Sequence, residues 1–317
     1  ELKGEGYFSV TRDERQPFIV VASGVRTKVY GTEFNVKAYA DNKVDVAALE
    51  AQTEYLIQKG VQCLYPCGTT GEMYLMSAEE RELVAETVVK KAAGRVTVFI
   101  HVGAMDQDET IRLAQHAQKI GADGVGVVTP SYFTVDEKAM VEYYKTVCAA
   151  LPEDFPVYVY VIPQLAHNDV SAETMEKIAA ACKNVVGVKY SFADMRRIND
   201  YLQVRGGNFS VVPGADDLFL PCLACGCDGV VSGCSGPFPE AFVNVYKAFQ
   251  SGDLAAARKA QVEATKLVKV MQFGGDMSIF KNILTFRGVP GGHMRKPLMD
   301  LDEAGVAKLK ETVAPYL

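Results

Sequence analysis

The chain has 317 residues, of which 49% are hydrophobic and 23% charged, so it is long enough to bury one large core or two small ones. Its formal net charge of −6 and its scattered lysines and arginines argue against a surface that tracks nucleic-acid phosphates. No apolar stretch approaches the roughly 18–20 residues of a membrane-spanning helix, and residues 1–30 lack the pattern of a signal peptide. We therefore expect a soluble protein with neither nucleic-acid nor membrane partners.

The eight cysteines occupy irregular positions in a chain too large to need disulfide bonds, which favours a reducing compartment and a cytoplasmic location. Their tightest cluster, Cys222, Cys225, Cys227 and Cys234, lacks a second Cys-x-x-Cys pair and a nearby histidine. This spacing favours small packing residues over metal ligands.

Residues 1–43 alternate apolar and polar side chains with turn residues between them, which predicts antiparallel strands. The segment is too short to bury a core of its own.

From residue 44 onward, short apolar or β-branched runs alternate with amphipathic stretches that begin at Ser, Asp or Asn and often end at glycine. The strands are too apolar to face water on either side, so the repeat favours a (β/α)8 barrel over an open sheet. The seven predicted strands are residues 61–67, 96–102, 124–130, 157–163, 185–191, 209–214 and 228–233.

Helices are predicted between these strands and after them. Beyond residue 252 the strands stop, so a helical extension follows a barrel domain that spans residues 44–317. The amphipathic stretches are 45–60, 77–94, 107–122 and 171–184, followed by 254–272, 278–286 and 303–313.

Polar side chains lie at the carboxyl ends of the predicted strands, which form the face on which such a barrel has its catalytic residues. In "VVGVKYSF", residues 185–192, Lys189 directly follows an apolar run, where an ammonium group is costly to desolvate unless it is paired or neutral. A neutral lysine can attack a carbonyl and form an imine. The residues expected at this face of the barrel are Gly68–Glu72, Thr129–Phe133, Tyr160, Lys189, Gly214–Asp217 and Ser232.

Each of these residues also has a purely structural interpretation. A lone lysine more often lays its stem along apolar surface, and a strand tyrosine such as Tyr160 more often packs in the core. The Gly68–Glu72 turn could open a helix, and Asp216 and Asp217 could cap one. The four histidines, at positions 101, 116, 167 and 293, have no paired spacing, and we assign them no chemistry.

Three motifs, in order and in register, resemble the pyruvate-dependent class I aldolases, the family that includes N-acetylneuraminate lyase and dihydrodipicolinate synthase. They are "GTTGE" (68–72), "YVIP" (160–163) and "GVK" (187–189), and the resemblance covers residues 44–317. It implies a TIM barrel, a small 2-keto acid substrate, no metal or nucleotide cofactor, and a homotetramer.

The resemblance implies a role for each motif. Lys189 forms the Schiff base with pyruvate, and Tyr160 moves protons between substrate and solvent. Thr70 and Tyr132 match the family's relay positions, and in the family the latter reaches a neighbouring subunit's site. The backbone N–H groups of Thr69 and Thr70 bind the pyruvate carboxylate. The other implied substrate contacts are Gly68, Leu165, Ser191, Gly214, Asp216, Asp217 and Ser232.

The substrate is predicted from positions at which the two named enzymes differ. Two residues after the proline of "YVIP" the synthase has an arginine and the lyase a leucine, and this chain has Leu165, which would leave a second substrate carboxylate unpaired. "GADD" (214–217) matches the lyase's acidic pair, which holds sugar hydroxyls, and "RKP" (295–297) also resembles the lyase.

We therefore predict a lyase that releases pyruvate from a sugar acid, with dihydrodipicolinate synthase-type condensation as the alternative. Val161 and "SYF" (131–133) depart from the usual pattern, so 2-keto-3-deoxy acids stay as open as N-acetylneuraminate. A barrel that binds a keto acid without turnover, and a signalling module driven by the N-terminal segment, are the other classes of function.

The N-terminal segment has a different resemblance. "PFIV" (17–20) and "GTEFNVKAY" (31–39) are typical of FecR-type anti-sigma regulators, so residues 1–43 resemble a fragment of such a protein. The aldolase family's usual first strand, expected just before "VDVAAL", is absent. We predict that residues 33–40 pair as an imperfect first barrel strand while residues 1–30 form an antiparallel appendage; the alternative is an unrelated passenger.

Overall fold

The computed structural model describes residues 4–10, 18–22, 25–29, 32–38 and 44–317. The chain divides into two compact units, Glu1–Val44 and Asp45–Leu317.

The first unit contains two antiparallel strand pairs. Strand β1 (Gly4–Val10) pairs with β4 (Thr32–Ala38), in a register that joins Gly4 to Ala38 and Val10 to Thr32. Strand β2 (Phe18–Ala22) pairs with β3 (Val25–Val29). Antiparallel strands are what the alternating sequence predicts. The prediction that residues 33–40 form the first barrel strand is wrong for the described part of that segment, because its partner is β1; residues 39 and 40 lie outside the described residues.

The second unit is built on a six-stranded sheet whose order follows the chain, β10-β9-β8-β7-β6-β5, with every pair parallel. All five residues of the central strand "GVGVV" (124–128) are buried, which explains its continuous apolar run. The strands are β5 (Cys63–Leu64), β6 (Thr97–His101), β7 (Gly124–Val128), β8 (Val157–Val161), β9 (Val185–Tyr190) and β10 (Ser210–Pro213).

Helices connect the strands and extend the unit beyond them. Side chains of Asp45, Ser77, Asp106, Asp136 and Ser171 accept N-terminal backbone N–H groups, as the sequence caps predict. The helices are α1 (Val46–Gln58), α2 (Ala78–Ala92), α3 (Gln107–Lys119), α4 (Glu137–Ala149), α5 (Pro163–Ala166), α6 (Ala172–Ala181), α7 (Met195–Tyr201), α8 (Phe219–Cys225), α9 (Pro239–Gln250), α10 (Leu254–Val270), α11 (Met277–Phe286) and α12 (Glu303–Val313).

Two predicted strands differ from the structure. The strand expected at 61–67 shrinks to two residues, after which the chain reaches Pro66, which has no N–H to donate to a ladder. The strand expected at 228–233 is an extended segment rather than a strand. It lies along β10, with the N–H of Asp228 donating to the Val211 carbonyl (3.2 Å) and that of Val231 donating to the Pro213 carbonyl (3.0 Å). The parallel α/β class is confirmed, but the described residues contain six parallel strands where eight were expected.

A cavity of about 500 Å³ lies at the lateral edge of this sheet, beside β5. Within the described residues, β5 has β6 as its sole strand neighbour, so its other edge is unpaired. Residues 61–65 line one side of the cavity, residues 228–233 line another, and Phe242 and Tyr246 of α9 contribute to the wall. Among the described residues, no strand fills the apolar interior between β5 and segment 228–231.

The C-terminal helices have a core of their own, as the amphipathic pattern beyond residue 252 predicts. Phe219, Phe238, Met271, Ile283 and Val313 belong to one buried apolar cluster that joins α8–α12. Of the helices that the structure describes, none has both the length and the apolar character needed to cross a membrane.

Candidate active site

Lys189 and Tyr160 face each other on neighbouring strands. The parallel register of β8 and β9 pairs these two residues directly, which brings the "YVIP" and "GVK" motifs together. The Lys189 ammonium lies 3.5 Å from the centre of the Tyr160 ring, and both side chains are buried, with Lys189 only 6% exposed. A cation over an aromatic face is attracted to the ring's negative face, most strongly when it is desolvated.

The polar partner of Lys189 is a hydroxyl. Its Nζ donates a hydrogen bond to Ser191 Oγ at 2.8 Å, and within residues 44–317 it makes no ion pair with a carboxylate. A second aromatic ring, that of Tyr65, lies 5.7 Å from the same nitrogen. The buried ammonium is therefore held by two rings and a hydroxyl, a setting in which the amine is available for chemistry rather than bound in a salt bridge.

The pKa of Tyr160 lies below the ordinary value of a phenol. Burial raises that pKa, but the Lys189 charge and hydrogen bonds from Thr69, Lys189 and Ser191 together lower it by more. Thr69 Oγ1 lies 3.1 Å from the Tyr160 hydroxyl. The phenol is thus more easily deprotonated than a free tyrosine, as a residue that carries protons requires.

The loop of residues 68–72 approaches this pair from the end of β5. Two tight turns shape it, with Gly71 N–H donating to the Gly68 carbonyl and Glu72 N–H to the Thr69 carbonyl, each at 3.0 Å. Among the described residues, the backbone N–H groups of Thr69 and Thr70 donate to no protein acceptor. Unpaired N–H groups next to a buried cation form a place for a carboxylate.

Thr70 is held close to a glycine of the facing segment. A Cβ at Gly233 would stand 2.4 Å from Thr70 Oγ1, so glycine alone fits there. The large cavity brings together six of the residues that the sequence singles out: Gly68, Thr69, Thr70, Tyr160, Lys189 and Ser232.

A second cavity, of about 250 Å³, adjoins the Ser191 side of the lysine. It collects Gln164, Ser191, Gly214, Asp216 and Asp217, of which all but Gln164 were predicted. A Cβ at Gly214 would stand 2.0 Å from Ser191 Oγ, so the close approach there requires glycine. Ser191 lines this cavity and Lys189 lines the larger one, so the hydrogen bond between these two side chains lies between the two cavities.

Asp216 is a buried carboxyl in this second cavity. Burial raises its pKa despite hydrogen bonds with Cys234 and Ser232 and the nearby charge of Lys189. Its Oδ1 is buried and has no hydrogen-bond partner among the described residues. An unpartnered buried oxygen is costly, and a hydroxyl donor from a ligand would satisfy it.

Two predicted residues are not brought into the site of this chain. Tyr132 is 73% exposed, with a backbone φ of 74°, and its ring packs edge-on against Phe133. Leu165, on α5, is 56% exposed and follows Gln164 of the second cavity. Their roles stay predictions.

Tyr65 also lines the large cavity, although it was not among the predicted site residues. Its ring packs edge-on near the Tyr160 ring (6.4 Å between centres), and its buried hydroxyl has no partner among the described residues. Tyr65 fits because residue 126 is glycine: a Cβ there would stand 1.8 Å from the Tyr65 hydroxyl oxygen. The available signal was its position near the end of the strand predicted at 61–67.

The described residues hold no group of three or more His, Cys, Asp or Glu side chains suited to a metal ion. His101 is fully buried against Tyr160, and burial together with the charge of Arg81 lowers its pKa well below the usual range. Its Nδ1 donates to the Cys67 carbonyl at 2.8 Å, so it acts as a neutral packing residue.

Residues 32–315 match the dihydrodipicolinate synthetase family. The chain belongs to this family. The 4-hydroxy-tetrahydrodipicolinate synthase of Aquifex aeolicus is 32% identical over 281 residues, which cover 89% of this chain and 95% of the relative. The family membership indicated by the three motifs is thus confirmed, whereas the match does not address the FecR-like character of the first residues.

Solved structures of the family show the same fold. YagE, a prophage protein of the dihydrodipicolinic acid synthase family from E. coli K12 in complex with pyruvate, is 31% identical with a TM-score of 0.82, over 87% of this chain and 94% of that one. A catalytic lysine mutant of the Ruminococcus gnavus sialic acid aldolase is 28% identical with a TM-score of 0.82, over 86% and 90%. A member of the dihydrodipicolinic acid synthase family and a sialic acid aldolase are therefore both structural neighbours of this chain.

Proposed function

We propose that this chain is a Schiff-base aldolase that releases pyruvate from a sugar acid, such as N-acetylneuraminate or a 2-keto-3-deoxy acid. The observation that carries the proposal is the direct pairing of Lys189 with Tyr160, 3.5 Å from nitrogen to ring centre, beside the unpaired N–H groups of Thr69 and Thr70. This arrangement supplies an amine, a proton carrier and a carboxylate site.

The chemistry begins at the keto group. The substrate carboxylate binds the N–H groups of Thr69 and Thr70, which presents its C2 carbonyl to Lys189. The neutral amine adds to C2, and loss of water leaves an iminium whose positive nitrogen draws electrons from the neighbouring carbon. Ser191 and Tyr160, both in contact with the lysine, are the groups positioned to accept its proton.

Cleavage then needs a base at the substrate's C4 hydroxyl. The Tyr160 phenolate takes that proton, the C3–C4 bond breaks, and its electron pair enters the iminium to give an enamine and a free aldehyde. Protonation of the enamine at C3, followed by hydrolysis of the imine, releases pyruvate and restores Lys189. The lowered pKa of Tyr160 suits this step, and the Thr69 hydroxyl at 3.1 Å gives its proton a path onward.

A sugar acid is favoured over an acidic aldehyde by the second cavity. It presents the carboxyls of Asp216 and Asp217 and the amide of Gln164, all of which can bind hydroxyl groups. The described residues that line it include no arginine or lysine to pair a second substrate carboxylate.

Dihydrodipicolinate synthase-type condensation is the second candidate. It is favoured by the 32% identity to the Aquifex enzyme over 95% of that relative's length. A keto-acid-binding barrel without turnover is the third, because no described strand pairs with the second edge of β5, beside the large cavity.

We also propose a homo-oligomer, a tetramer by family resemblance, in the cytoplasm. The exposed rings of Tyr132 and Phe133 support a contact with a second copy, since large apolar side chains on a surface mark association sites. All eight cysteines are free thiols, which suits a reducing compartment.

Borohydride trapping tests the proposal. Pyruvate plus borohydride should add one reduced adduct per chain on the peptide that contains Lys189, because reduction converts an imine to a stable amine. Lys189→Arg should abolish the adduct, since a guanidinium stays protonated and cannot attack a carbonyl. Lys183→Arg, at an exposed residue paired with Glu153 near the start of the same strand, is the matched control and should trap normally.

A pyruvate-release assay separates the candidates. N-acetylneuraminate and several 2-keto-3-deoxy sugar acids should be compared with condensation of pyruvate and aspartate semialdehyde. Release from a sugar acid supports the proposal, and condensation alone supports the synthase. Trapping without turnover supports a binding barrel, whereas an adduct on a peptide lacking Lys189 contradicts the mechanism.

A further inference from the structure

The loop that carries Thr69 and Thr70 has strained ends. Cys67 and Glu72, which bracket it, both have positive φ values, 60° and 58°, although neither is glycine. Such conformations are costly for residues with a Cβ and persist only where the surroundings impose them. Something outside the loop must therefore hold it.

The contacts of the Glu72 side chain with residues outside the loop supply that restraint. Its side chain is buried, and both carboxylate oxygens are engaged: Oε1 accepts the N–H of Arg295 at 2.7 Å, and Oε2 pairs with Lys281 Nζ at 2.8 Å. Lys281, on α11, also donates to the His293 carbonyl at 2.7 Å. One carboxylate thus joins the loop to α11 and to the segment that follows it, more than 200 residues along the chain.

The same C-terminal segment also forms hydrogen bonds with the chain just beyond the loop. The guanidinium of Arg295 donates to both oxygens of Glu80, at 2.8 and 3.0 Å, and to the Leu75 carbonyl at 3.3 Å. Glu80 in turn accepts the Ser77 N–H in the capping box that opens α2. The path from the loop to α2 is therefore fixed at two points by residues of the helical extension.

We infer that Glu72 is a positioning residue for 2-keto acid binding, acting through its ion pair with Lys281. This inference rests on the proposed function, because the groups that it positions are the Thr69 and Thr70 N–H groups. The ion pair holds these N–H groups toward the substrate carboxylate and keeps the Thr69 hydroxyl against Tyr160. The helical extension, whose sequence carries no catalytic motif, thereby shapes the site.

The ion pair should matter more for binding than for the chemical step. The substrate carboxylate keeps its charge from the first complex to the product, so its contact with the loop contributes equally to ground and transition states. A loosened loop therefore raises KM and the pyruvate concentration that half-saturates trapping. A role in stability alone would lower the melting midpoint without moving that concentration.

Four single variants test the inference in the full chain, with pyruvate and borohydride as the probe. Glu72→Gln keeps an oxygen for the Arg295 N–H but loses the charge that Lys281 pairs with, and Lys281→Met removes the other partner. Both should raise the half-saturating pyruvate concentration about tenfold, with one adduct per chain still reached at saturation. Lys281→Arg restores a cation and should return the value to within about threefold of the unmodified chain.

Glu79→Gln is the matched control. Glu79 lies on the exposed surface of α2, one residue before Glu80, and pairs with Arg112. Because an exposed ion pair contributes little, Glu79→Gln should leave the half-saturating pyruvate concentration unaltered. The double variant Glu72→Gln with Lys281→Met should resemble the single variants, because each alone already breaks the pair.

The outcomes separate this inference from the proposed function. If the unmodified chain forms no adduct, the proposed function is contradicted and the inference falls with it. If the unmodified chain traps pyruvate and Glu72→Gln and Lys281→Met do so at the same concentration, the inference alone is wrong. If Glu72→Gln fails to fold by circular dichroism, the comparison of Lys281→Met with Lys281→Arg decides, and failure to rescue overturns the inference.

Discussion

Neighbouring side chains lower the pKa of Tyr160, so a titration of this phenol tests its contact with Lys189. The Lys189 charge is the largest influence that lowers the pKa of this phenol against the effect of burial. Lys189→Met should therefore raise the pKa of Tyr160, and tyrosinate should appear at higher pH in an ultraviolet difference titration. Tyr160→Phe identifies the transition by removing it; an unchanged titration in Lys189→Met would show that the two residues are not coupled.

The same shift has a consequence for stability. The pKa of Tyr160 is lower in the folded chain than its ordinary value of 10.0, so the folded state favours the ionised form. That contribution is fully present above the unfolded pKa and is lost as the pH falls through the folded pKa. The contribution is therefore greatest in alkaline solution, above the unfolded pKa, and declines as the pH falls toward the folded pKa.

Removal of the Tyr160 hydroxyl should separate binding from turnover. Tyr160→Phe keeps the ring over Lys189 but loses the proton carrier, so pyruvate trapping should persist while turnover falls on the order of 10²-fold or more. Tyr158→Phe, two residues earlier on β8, removes a hydroxyl bonded to Ser210 and is the control. Equal turnover in both variants would mean that the proton moves by another route.

At the scale of single elements, α5 offers a test of substrate choice. Leu165 is largely exposed next to Gln164 of the second cavity, so a longer side chain can be placed there without disturbing the core. Leu165→Arg should weaken a polyol substrate about tenfold and allow an acidic aldehyde to react, since a guanidinium pairs with a carboxylate. Leu165→Met is the uncharged control, and identical substrate profiles for the two variants would contradict the assignment.

The elements were predictable where local pattern decides them. The apolar runs at 124–128, 157–161 and 185–190 and the capped amphipathic stretches are where the sequence predicts them. The proximity of Lys189, Tyr160 and Thr69 was predictable because parallel strands end at one edge of the sheet, whereas their roles stay predictions. The strand predicted at 228–233 was wrong because the described segment is joined to β10 by only two backbone hydrogen bonds, from the N–H groups of Asp228 and Val231, and forms no regular ladder.

Contacts between residues that are distant in the sequence could not be predicted from the sequence. Nothing in the neighbourhood of Glu72 indicates that its partner is Lys281, because an ion pair is set by where two elements dock. Tyr65 was missed for a related reason: its place depends on the absence of a side chain at Gly126, on a different strand.

At the scale of the whole molecule, β5 has one edge without a strand partner in the described residues. The contribution of residues 1–43 to the stability of the sheet is therefore testable. In the described residues, Thr32–Ala38 pairs with Gly4–Val10, and the six-stranded sheet takes all its strands from the second unit. The cavity of about 500 Å³ lies where a further strand would pair with β5. The strand ladder of the second unit, as described, therefore loses no partner when the first unit is removed.

Deletion of residues 1–43 is the corresponding prediction. The shortened chain begins at Val44 and keeps Asp45, whose side chain caps α1 by accepting the Ala48 N–H at 3.0 Å. It should fold, melt cooperatively and form the Lys189 adduct with pyruvate. A chain that begins at Val46 is the control: it loses the cap, worth about 1 kcal/mol, and should melt a few degrees lower with the adduct intact. Aggregation of the chain that begins at Val44, or loss of its adduct, would contradict the prediction and show that residues before 44 protect the β5 edge from association with other chains.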